Sequence, residues 1–281
     1  MRVSDALAEG VARLRAAQIE GAPRDARRLL AFALGIAPER LLVMMDAPMP
    51  EAQITAFRAA IAARAAHQPV AQITGERLFW GRRFQVSRAV LDPRPETETL
   101  IEAALARPFE HVLDLGTGSG AILLTLLAER PQARGIGVDI SPAALSVAQE
   151  NARALGLEGR AQLQRSDWFA DVTGRFDLIV SNPPYIGDGE FEDLAPEVRD
   201  WEPREALVPA GCDGSGLAAY RLICARAPAH MNAAGWLVVE IGHRQAEAVA
   251  ELFRAAGLRR IEVIADLSGH DRVVVGQAAL S

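Results

Sequence analysis

The tetrapeptide Asn182-Pro183-Pro184-Tyr185 has the residue types and the order that suit the handling of a planar nitrogen group. It follows an apolar run at 176–181, which predicts a loop at the carboxyl end of a buried strand. Two consecutive prolines stiffen the turn and remove two amide donors, so carbonyl oxygens remain as acceptors. Asn182 Oδ1 and a neighbouring carbonyl could hold both N–H groups of an amide or exocyclic amine, and Tyr185 could stack on its plane. The pattern predicts catalysis by positioning a delocalised nitrogen for attack on an electrophilic carbon.

A glycine-rich turn forms a second candidate site. Asp114 and Leu115 end an apolar run, and Gly116-Thr117-Gly118-Ser119-Gly120 follows at once. Glycines at such a turn let the backbone approach a ligand closely. About twenty residues later Asp139 ends the next predicted strand, where its carboxylate could accept hydrogen bonds from two ribose hydroxyls. This spacing fits either a nicotinamide dinucleotide or S-adenosylmethionine and leaves the choice between them open.

Asp167 and Trp168, which follow a predicted strand at 161–165, form the third candidate site. An adenine would lie there if a cofactor spans the carboxyl ends of the strands. Asp167 could accept a hydrogen bond from the adenine amino group, and Trp168 could cover the ring. These two residues complete the predicted cofactor-binding group.

Each motif also has a purely structural explanation. Asn-Pro is a frequent turn dipeptide, although a turn alone leaves Tyr185 unexplained. Asp139 could cap the helix that begins near Pro142, and Trp168 could belong to a core beside Phe169. The order of the motifs on successive strands favours ligand binding.

Strands and helices must alternate to bring these loops together, and the apolar pattern beyond residue 109 predicts that they do. The predicted strands are 111–115, 134–139, 161–165, 176–181, 236–241 and two closing strands, and the predicted helices are 121–129, 142–155, 215–231 and 245–256. Such alternation is typical of an α/β fold in which helices cover both faces of a mostly parallel sheet.

The first third of the chain has a different pattern. Apolar residues recur at helical spacing from Ser4 to about His67, with breaks at glycine and proline, which predicts a small helical domain over 1–68. Residues 69–92, which include Val70 and Ile73, gather aromatic and β-branched residues around two glycines and predict a β-hairpin connector. A helix opens after Pro93-Arg94-Pro95, and the third predicted domain spans 93–281.

Composition excludes several classes of protein. The net charge is −6; residues 1–85 carry 12 Arg against 8 acidic residues, whereas 86–281 carry 18 Arg against 28 acidic residues, which is unlike a protein that grips a duplex. We expect no stable nucleic acid partner. No apolar run is long enough for a membrane span, and no secretory signal is visible, so we expect a cytoplasmic monomer without membrane contact. Cys212 and Cys224 lack zinc-ligand spacing, which predicts reduced thiols and no metal.

Several stretches together resemble the peptide chain release factor glutamine methyltransferases, the PrmC or HemK proteins, nearly from end to end. These stretches are Phe79-Trp80-Gly81, Pro93-Arg94-Pro95-Glu96-Thr97-Glu98, Val112 to Gly120, Val138 to Pro142, Asp167-Trp168-Phe169, Ser181 to Ile186, Glu202-Pro203-Arg204 and Asp271-Arg272-Val273-Val274. The Asn-Pro-Pro-Tyr tetrapeptide is shared with adenine and guanine N-methyltransferases. The Pro-Arg-Pro segment is more restrictive.

This resemblance implies a Rossmann-like class I methyltransferase with a seven-stranded sheet. It implies methyl transfer from S-adenosylmethionine to the glutamine amide nitrogen of the Gly-Gly-Gln motif in class I release factors, with S-adenosylhomocysteine as product. Gly116 to Gly120, Asp139, Trp168 and Asn182 would bind the cofactor, and residues 182–185 would hold the glutamine, with Asn182, Pro183 and Tyr185 as the catalytic set. The helical domain would help to dock the release factor.

Two residues depart from the family pattern. Asp92 stands where an aliphatic residue is usual, and Ser166 stands where glycine is usual. Three alternatives stay open at this point: a DNA adenine methyltransferase, a ribosomal RNA guanine methyltransferase, and a nicotinamide-dependent oxidoreductase or non-catalytic nucleotide-binding module.

Overall fold

A computed structural model describes residues 1–211 and 213–279, which form two compact units. The smaller unit contains Met1–Glu76 and Ala195–Trp201, and the larger contains Arg77–Leu194 and the chain from Glu202 onward. The helices are α1 (Val3–Ala16), α2 (Ala22–Leu34), α3 (Glu51–Ala65), α4 (Val70–Thr74), α5 (Glu98–Leu105), α6 (Ala121–Glu129), α7 (Pro142–Ala154), α8 (Pro196–Arg199), α9 (Ala218–Arg226) and α10 (Ala246–Ala255). The strands are β1 (Glu76–Phe79), β2 (Arg82–Gln85), β3 (His111–Leu115), β4 (Arg134–Asp139), β5 (Ala161–Arg165), β6 (Phe176–Ser181), β7 (Met231–Glu240), β8 (Arg259–Ala265) and β9 (Asp271–Gln277).

The smaller unit is built on α1, α2 and α3. Leu14, Leu29 and Phe57 are buried at its centre, as the helical spacing of apolar residues predicts. Gly10 allows α1 to lie close to α3, because a Cβ there would come within 2.6 Å of Phe57 Cζ. This unit therefore has its own hydrophobic core.

Within the smaller unit, the buried side chain of Arg64 holds segment 195–201 to the helices. Arg64 Nε donates to Asp25 Oδ2 at 2.9 Å, and its Nη2 donates to Glu197 Oε2 at 3.0 Å. Trp201 Nε1 donates to the Ala66 carbonyl at 3.1 Å. Because Arg64 is buried between two carboxylates, its charge is compensated and the segment is held to α3.

The larger unit contains a seven-stranded sheet in the order β5-β4-β3-β6-β7-β9-β8. Strands β5, β4, β3, β6 and β7 are parallel, and β9 and β8 close the sheet in antiparallel pairings. The predicted mostly parallel α/β sheet is confirmed. The chain leaves β3 in one direction for β4 and β5 and returns on the other side as β6, so the strand order reverses between β3 and β6. Ligands of such sheets bind at the carboxyl ends of the strands beside that reversal.

Helices cover both faces of this sheet. Leu100 of α5 and Leu123 of α6 pack on one face, whereas Tyr220 of α9 and Phe253 of α10 pack on the other. The central strands β3 and β6 and the second half of β7 are buried on both sides, which explains why their sequences are apolar runs rather than alternating patterns.

The predicted hairpin starts later in the chain than the sequence suggests. Trp80 and Gly81 join β1 to β2, and both have positive φ angles of 48° and 70°, the conformation that a two-residue hairpin turn requires. Val70 and Ile73, which the sequence places in the hairpin, lie in α4 instead. Pro69 begins this single helical turn and Gly75, in a left-handed conformation, ends it, so the two residues are withdrawn from the strand.

The helix predicted at 215–231 is shorter than expected. It spans only Ala218–Arg226 and continues as a 3₁₀ turn to His230, and β7 begins at Met231. Pro228 lacks the amide hydrogen that an α-helix would need there, which ends the regular helix. Cys224 in α9 is a buried free thiol, and burial raises its pKa to about 12. Cys212 lies outside the described residues. Within the described part of the chain, no helix has the length and apolar character that a membrane crossing requires.

Asp92, the first departure from the family pattern, has a charged partner in β1. It is 4% exposed, and its Oδ2 atom lies 3.3 Å from Arg77 Nη1. Its charge also disfavours ionisation of the neighbouring Glu202, a residue whose pKa burial raises to about 7. The negative charge of Asp92 is therefore compensated by Arg77 of the hairpin.

We expect Arg77→Leu to lower the free energy of unfolding by about 2–3 kcal/mol, because it leaves the buried Asp92 carboxylate without this cation. Arg77→Leu combined with Asp92→Leu should recover most of that loss, since neither charge is then buried. Urea unfolding of both variants measures the difference. Equal losses in the single and the double variant would contradict a coupled pair.

Candidate active site

A cavity of about 620 Å³ opens at the carboxyl ends of β3 to β6 in the larger unit. Its size falls within the range of sites that bind small molecules. Nine of the sequence-predicted residues line it: Gly116, Thr117, Gly118, Ser119, Asp139, Asp167, Trp168, Asn182 and Pro184. The other four, Asp114, Gly120, Pro183 and Tyr185, are outside the set of lining residues.

The glycine turn bends because three of its residues take a left-handed backbone. Gly116, Gly118 and Gly120 have φ angles of 69°, 54° and 78°, which side chains other than glycine rarely adopt. A Cβ at Gly116 or Gly118 would meet nothing within 4 Å, so these two face open space. A Cβ at Gly120 would lie 3.0 Å from Leu124 Cδ1, so Gly120 is needed for helix packing.

Asp114 lies beneath the glycine turn rather than in the cavity wall. It is fully buried, and its Oδ2 atom accepts hydrogen bonds from Thr117 Oγ1 at 2.6 Å and from Leu123 N at 3.3 Å. Burial raises the pKa of its carboxyl to about 7. Asp114 thus fixes the turn against the first turn of α6. The direct contact with the cofactor that the sequence predicts for it stays a prediction.

Asp139 shapes the turn and also faces the cavity. Its Oδ2 accepts from Gly118 N at 2.9 Å, and its Oδ1 accepts from Ser141 N at 2.9 Å. The helix cap itself is Ser141, whose Oγ accepts from Ala144 N, so capping does not account for Asp139. Burial raises the pKa of Asp139, and hydrogen bonds from the backbone amides of Ser141, Gly118 and Ile140 oppose that rise. A carboxylate has about four lone-pair positions, so these three donors leave room for a ribose hydroxyl.

Ser166, the second residue that departs from the family pattern, fixes the backbone of Trp168. Ser166 Oγ donates to the Trp168 carbonyl at 2.8 Å and accepts from Asp171 N at 3.0 Å, closing a tight turn. Trp168 takes a φ of 52° within it, and its ring both lines the cavity and packs against the core on one face of the sheet. Ile140 also lines the cavity and is 54% exposed, but its residue type and spacing did not predict a contact with a ligand.

The proline loop presents some of its members to the cavity and turns others into the protein. Asn182 and Pro184 line the cavity, and Asn182 Nδ2 donates to Thr97 Oγ1 at 3.3 Å. Pro183 is buried behind them. The Tyr185 ring packs against the core beside Glu240, and burial raises its pKa to about 12. The stacking predicted for Tyr185 therefore has no counterpart among the cavity-lining residues and stays a prediction.

Residues distant in sequence brace the loop. Gln245 Nε2 donates to the Tyr185 carbonyl at 3.0 Å, while its Oε1 accepts from Gly242 N at 3.1 Å. A Cβ on Gly216 would fall 2.0 Å from the Tyr185 carbonyl oxygen, so only glycine allows this approach. Nothing local in the sequence marks Gln245 or Gly216 as part of the site.

We expect Gln245→Ala to lower kcat about tenfold, because one hydrogen bond that fixes the loop carbonyl is lost and the reacting geometry loosens. Steady-state kinetics measure this. Gln277→Ala is the matched control, since Gln277 Nε2 donates in the same way to the Ala234 carbonyl at the other end of β7. Equal kcat values for the two variants would show that the brace does not affect turnover.

A loop at 203–211 supplies a further part of the wall, as does the segment 89–97, and neither was predicted as part of the site. Arg94 Nη2 donates to both carboxylate oxygens of the buried Glu202 at 2.7 and 2.8 Å, which anchors the start of that loop. Arg204 Nη2 donates to Asp188 Oδ1 at 2.7 Å. The sequence marked Glu202-Pro203-Arg204 only as a family-like stretch and offered no physical reason for its position.

Comparisons with known proteins agree with this architecture. Residues 5–75 match the PrmC N-terminal domain, and residues 86–198 match the methyltransferase small domain. A solved methyltransferase from Pyrococcus furiosus shares the fold, with a TM-score of 0.55, 16% identity, and coverage of 79% of this chain and 98% of that chain. The seven-stranded sheet and the match to the methyltransferase small domain define a Rossmann-like class I methyltransferase.

Two relatives identify the family within this class of methyltransferases. The release factor glutamine methyltransferase of Cereibacter sphaeroides is 61% identical, with 98% of each chain covered. That of Rhodospirillum rubrum is 46% identical over 96% of this chain and 83% of its own. This chain belongs to the release factor glutamine methyltransferase family.

Proposed function

We propose that this enzyme transfers a methyl group from S-adenosylmethionine to the side-chain amide nitrogen of the glutamine in the Gly-Gly-Gln motif of class I release factors, leaving S-adenosylhomocysteine. The observation that carries the proposal is the shared cavity of Asn182, the glycine turn and Asp139. The two relatives described above are release factor glutamine methyltransferases, which supports the same substrate.

The cavity residues suit the proposed donor. Gly116 and Gly118 leave open space beside the backbone, Asp139 has spare lone pairs for a ribose, and Trp168 and Ile140 offer apolar surface for an adenine. A bound donor would supply an electrophilic methyl group on a sulfonium. We propose that Asp167 accepts from the adenine amino group, and that no metal takes part.

The loop residues would hold the acceptor. Asn182 Oδ1 and a neighbouring backbone carbonyl would accept the two N–H groups of the glutamine amide, which would turn its nitrogen lone pair toward the methyl carbon. The nitrogen would attack that carbon as the C–S bond breaks, and the electron pair of the broken bond would stay on sulfur. The methylated nitrogen then loses a proton to water. Because a delocalised amide nitrogen is a poor nucleophile, positioning supplies most of the rate enhancement.

We further propose that the protein acts as a cytoplasmic monomer and that residues 1–68 form a domain that docks the release factor. The hairpin at 69–92 would connect it to a methyltransferase domain at 93–281. The proposed location follows from the substrate, because release factors act in translation termination.

An assay with methyl-labelled donor tests the proposed substrate. Release factor, release factor with its Gly-Gly-Gln glutamine replaced by alanine, duplex DNA and ribosomal RNA are offered separately. We expect label only on the unaltered release factor. Label on nucleic acid but not on release factor would overturn the proposal in favour of a nucleic-acid methyltransferase. A calorimetric preference for NAD over S-adenosylmethionine would favour an oxidoreductase instead.

A further inference from the structure

Glu240 is a buried carboxyl group beside the proline loop that the reaction scheme above does not use. It ends β7, is 1% exposed, and its Oε2 atom has no hydrogen-bond partner among the described residues. Burying such a group costs stability unless something compensates for it. Its position therefore calls for a functional explanation.

The sheet register places Glu240 next to Asn182. Ser181 of β6 pairs with Val239 of β7, so the following residues, Asn182 and Glu240, lie on the same face of the sheet. That face is covered by α5, whose first turn follows Thr97. Thr97 is itself buried and lines the same cavity as Asn182.

Thr97 is hydrogen-bonded to Asn182 and lies close enough to Glu240 to affect the ionisation of its carboxyl. Its Oγ1 accepts from Asn182 Nδ2 at 3.3 Å. Its hydroxyl also interacts with the Glu240 carboxyl and favours the ionised form of that group. A hydroxyl has one hydrogen to donate and two lone pairs with which to accept. If Glu240 takes the hydrogen, only the N–H side of the Asn182 amide can face Thr97.

We propose that Glu240 and Thr97 are positioning residues that fix the amide orientation of Asn182, so that Oδ1 rather than Nδ2 faces the acceptor nitrogen. This inference rests on the proposed function. Asn182 presents nearly the same shape when its amide is rotated by half a turn, but rotation replaces an acceptor by a donor and would repel the glutamine N–H groups. The chain of contacts from Glu240 through Thr97 to Asn182, which we call the relay, excludes the rotated amide before substrate binds.

Charged groups around Glu240 determine its ionisation. Burial raises its pKa to about 7, Arg272 of β9 and Arg94 favour the carboxylate, and Glu96 opposes it. The phenol of Tyr185 also lies near enough to be affected by its charge. Assays of the relay therefore belong at a pH above 7, where Glu240 is ionised and can accept the Thr97 hydrogen.

Kinetics of four variants test the relay. We expect Thr97→Val and Glu240→Gln to lower kcat by about 30- to 100-fold, the size of effect expected when a reacting group is misplaced, and to change KM for release factor less than about threefold. Thr97→Ser keeps the hydroxyl and should stay within about threefold of the unaltered enzyme. Thr125→Val is the matched control, because Thr125 is fully buried in α6 and its Oγ1 has no hydrogen-bond partner among the described residues.

A measurement without turnover separates the relay from the proposed function. The chain contains three asparagines, Asn151, Asn182 and Asn232, so selective ¹⁵N-asparagine labelling gives three resolvable side-chain amides. We expect nuclear Overhauser contacts between the Asn182 Nδ2 hydrogens and Thr97 in the unaltered protein, and their loss in Glu240→Gln.

The two readouts overturn different claims. Absence of the Asn182–Thr97 contacts, or Thr97→Val turnover equal to that of Thr125→Val, would overturn the relay. An equal loss of kcat in Thr97→Ser and Thr97→Val would also overturn it, because the effect would then be steric. If the unaltered enzyme shows the Asn182–Thr97 contacts but does not methylate release factor, the relay is supported and the proposed substrate is contradicted.

Discussion

Asn182→Ala should reduce kcat for release factor by about a thousandfold or more while the dissociation constant for S-adenosylmethionine stays within about tenfold. The side chain lines the cavity, and its amide is oriented by Thr97 at 3.3 Å. Alanine removes the oxygen that would hold the acceptor N–H, so the nitrogen lone pair is no longer aimed. Single-turnover kinetics and calorimetry measure the two quantities separately.

Asn232→Ala provides a matched control for that experiment. Asn232 Nδ2 donates to Asp177 Oδ1 at 2.7 Å at the opposite edge of the sheet, so its loss alters the same chemical group away from the cavity. Its turnover should stay close to that of the unaltered enzyme. Near-normal turnover in Asn182→Ala would remove Asn182 from the mechanism.

Asp139→Ala should weaken S-adenosylmethionine binding by about a hundredfold, since hydrogen bonds to a charged group contribute about 1.5–3 kcal/mol each. The carboxylate would lose its ribose hydroxyls and also its bond to Gly118 N, which shapes the turn at 2.9 Å. At saturating donor kcat should fall less than about tenfold, because Asp139 does not contact the reacting nitrogen in the proposed scheme. Calorimetric titration measures the affinity.

Asp177→Ala serves as the control for Asp139. Its Oδ2 atom accepts from Glu110 N at 3.0 Å and from His111 N at 2.9 Å, which reproduces the backbone-bonded carboxylate of Asp139 at the amino end of the strands. Donor affinity should be unchanged in this variant. An equal loss of affinity in both variants would mean that Asp139 acts through stability rather than through a ribose contact.

Sequence patterns predicted the fold and the loops that form the cavity because both depend on local signals. Apolar runs and glycine turns identify β3, β4 and β6, and the alternation of strands with helices predicts that these strands run parallel in one sheet. The carboxyl ends of such strands meet at one edge, so loops far apart in the chain come together. Asn182, Asp139 and Gly118 were found in this way.

The same motifs did not separate residues that face a ligand from residues that build the loop. Asp114 and Gly120 belong to the glycine motif, yet one braces the turn from below and the other packs against Leu124. Tyr185 belongs to the proline motif but packs against the core. A motif fixes the path of the backbone, whereas the direction of each side chain depends on φ and on neighbours that the sequence does not identify.

Residues that support the loop from elsewhere could not be predicted at all. Gln245 contacts the Tyr185 carbonyl across 60 positions, and Thr97 contacts Asn182 across 85. Sequence spacing carries no information about such contacts until the strand order and the helix placement are known. Glu240 is a similar case, because it is the last residue of an apolar strand and has no motif of its own.

A structure of the enzyme with S-adenosylhomocysteine and a glutamine-containing release factor would show how the acceptor amide is held. We predict that Asn182 Oδ1 accepts from the glutamine amide and that the amide nitrogen lies where a transferable methyl carbon would be about 3–3.5 Å away. A glutamine bound elsewhere, or residues 182–185 turned away from the sulfur of the cofactor, would contradict it.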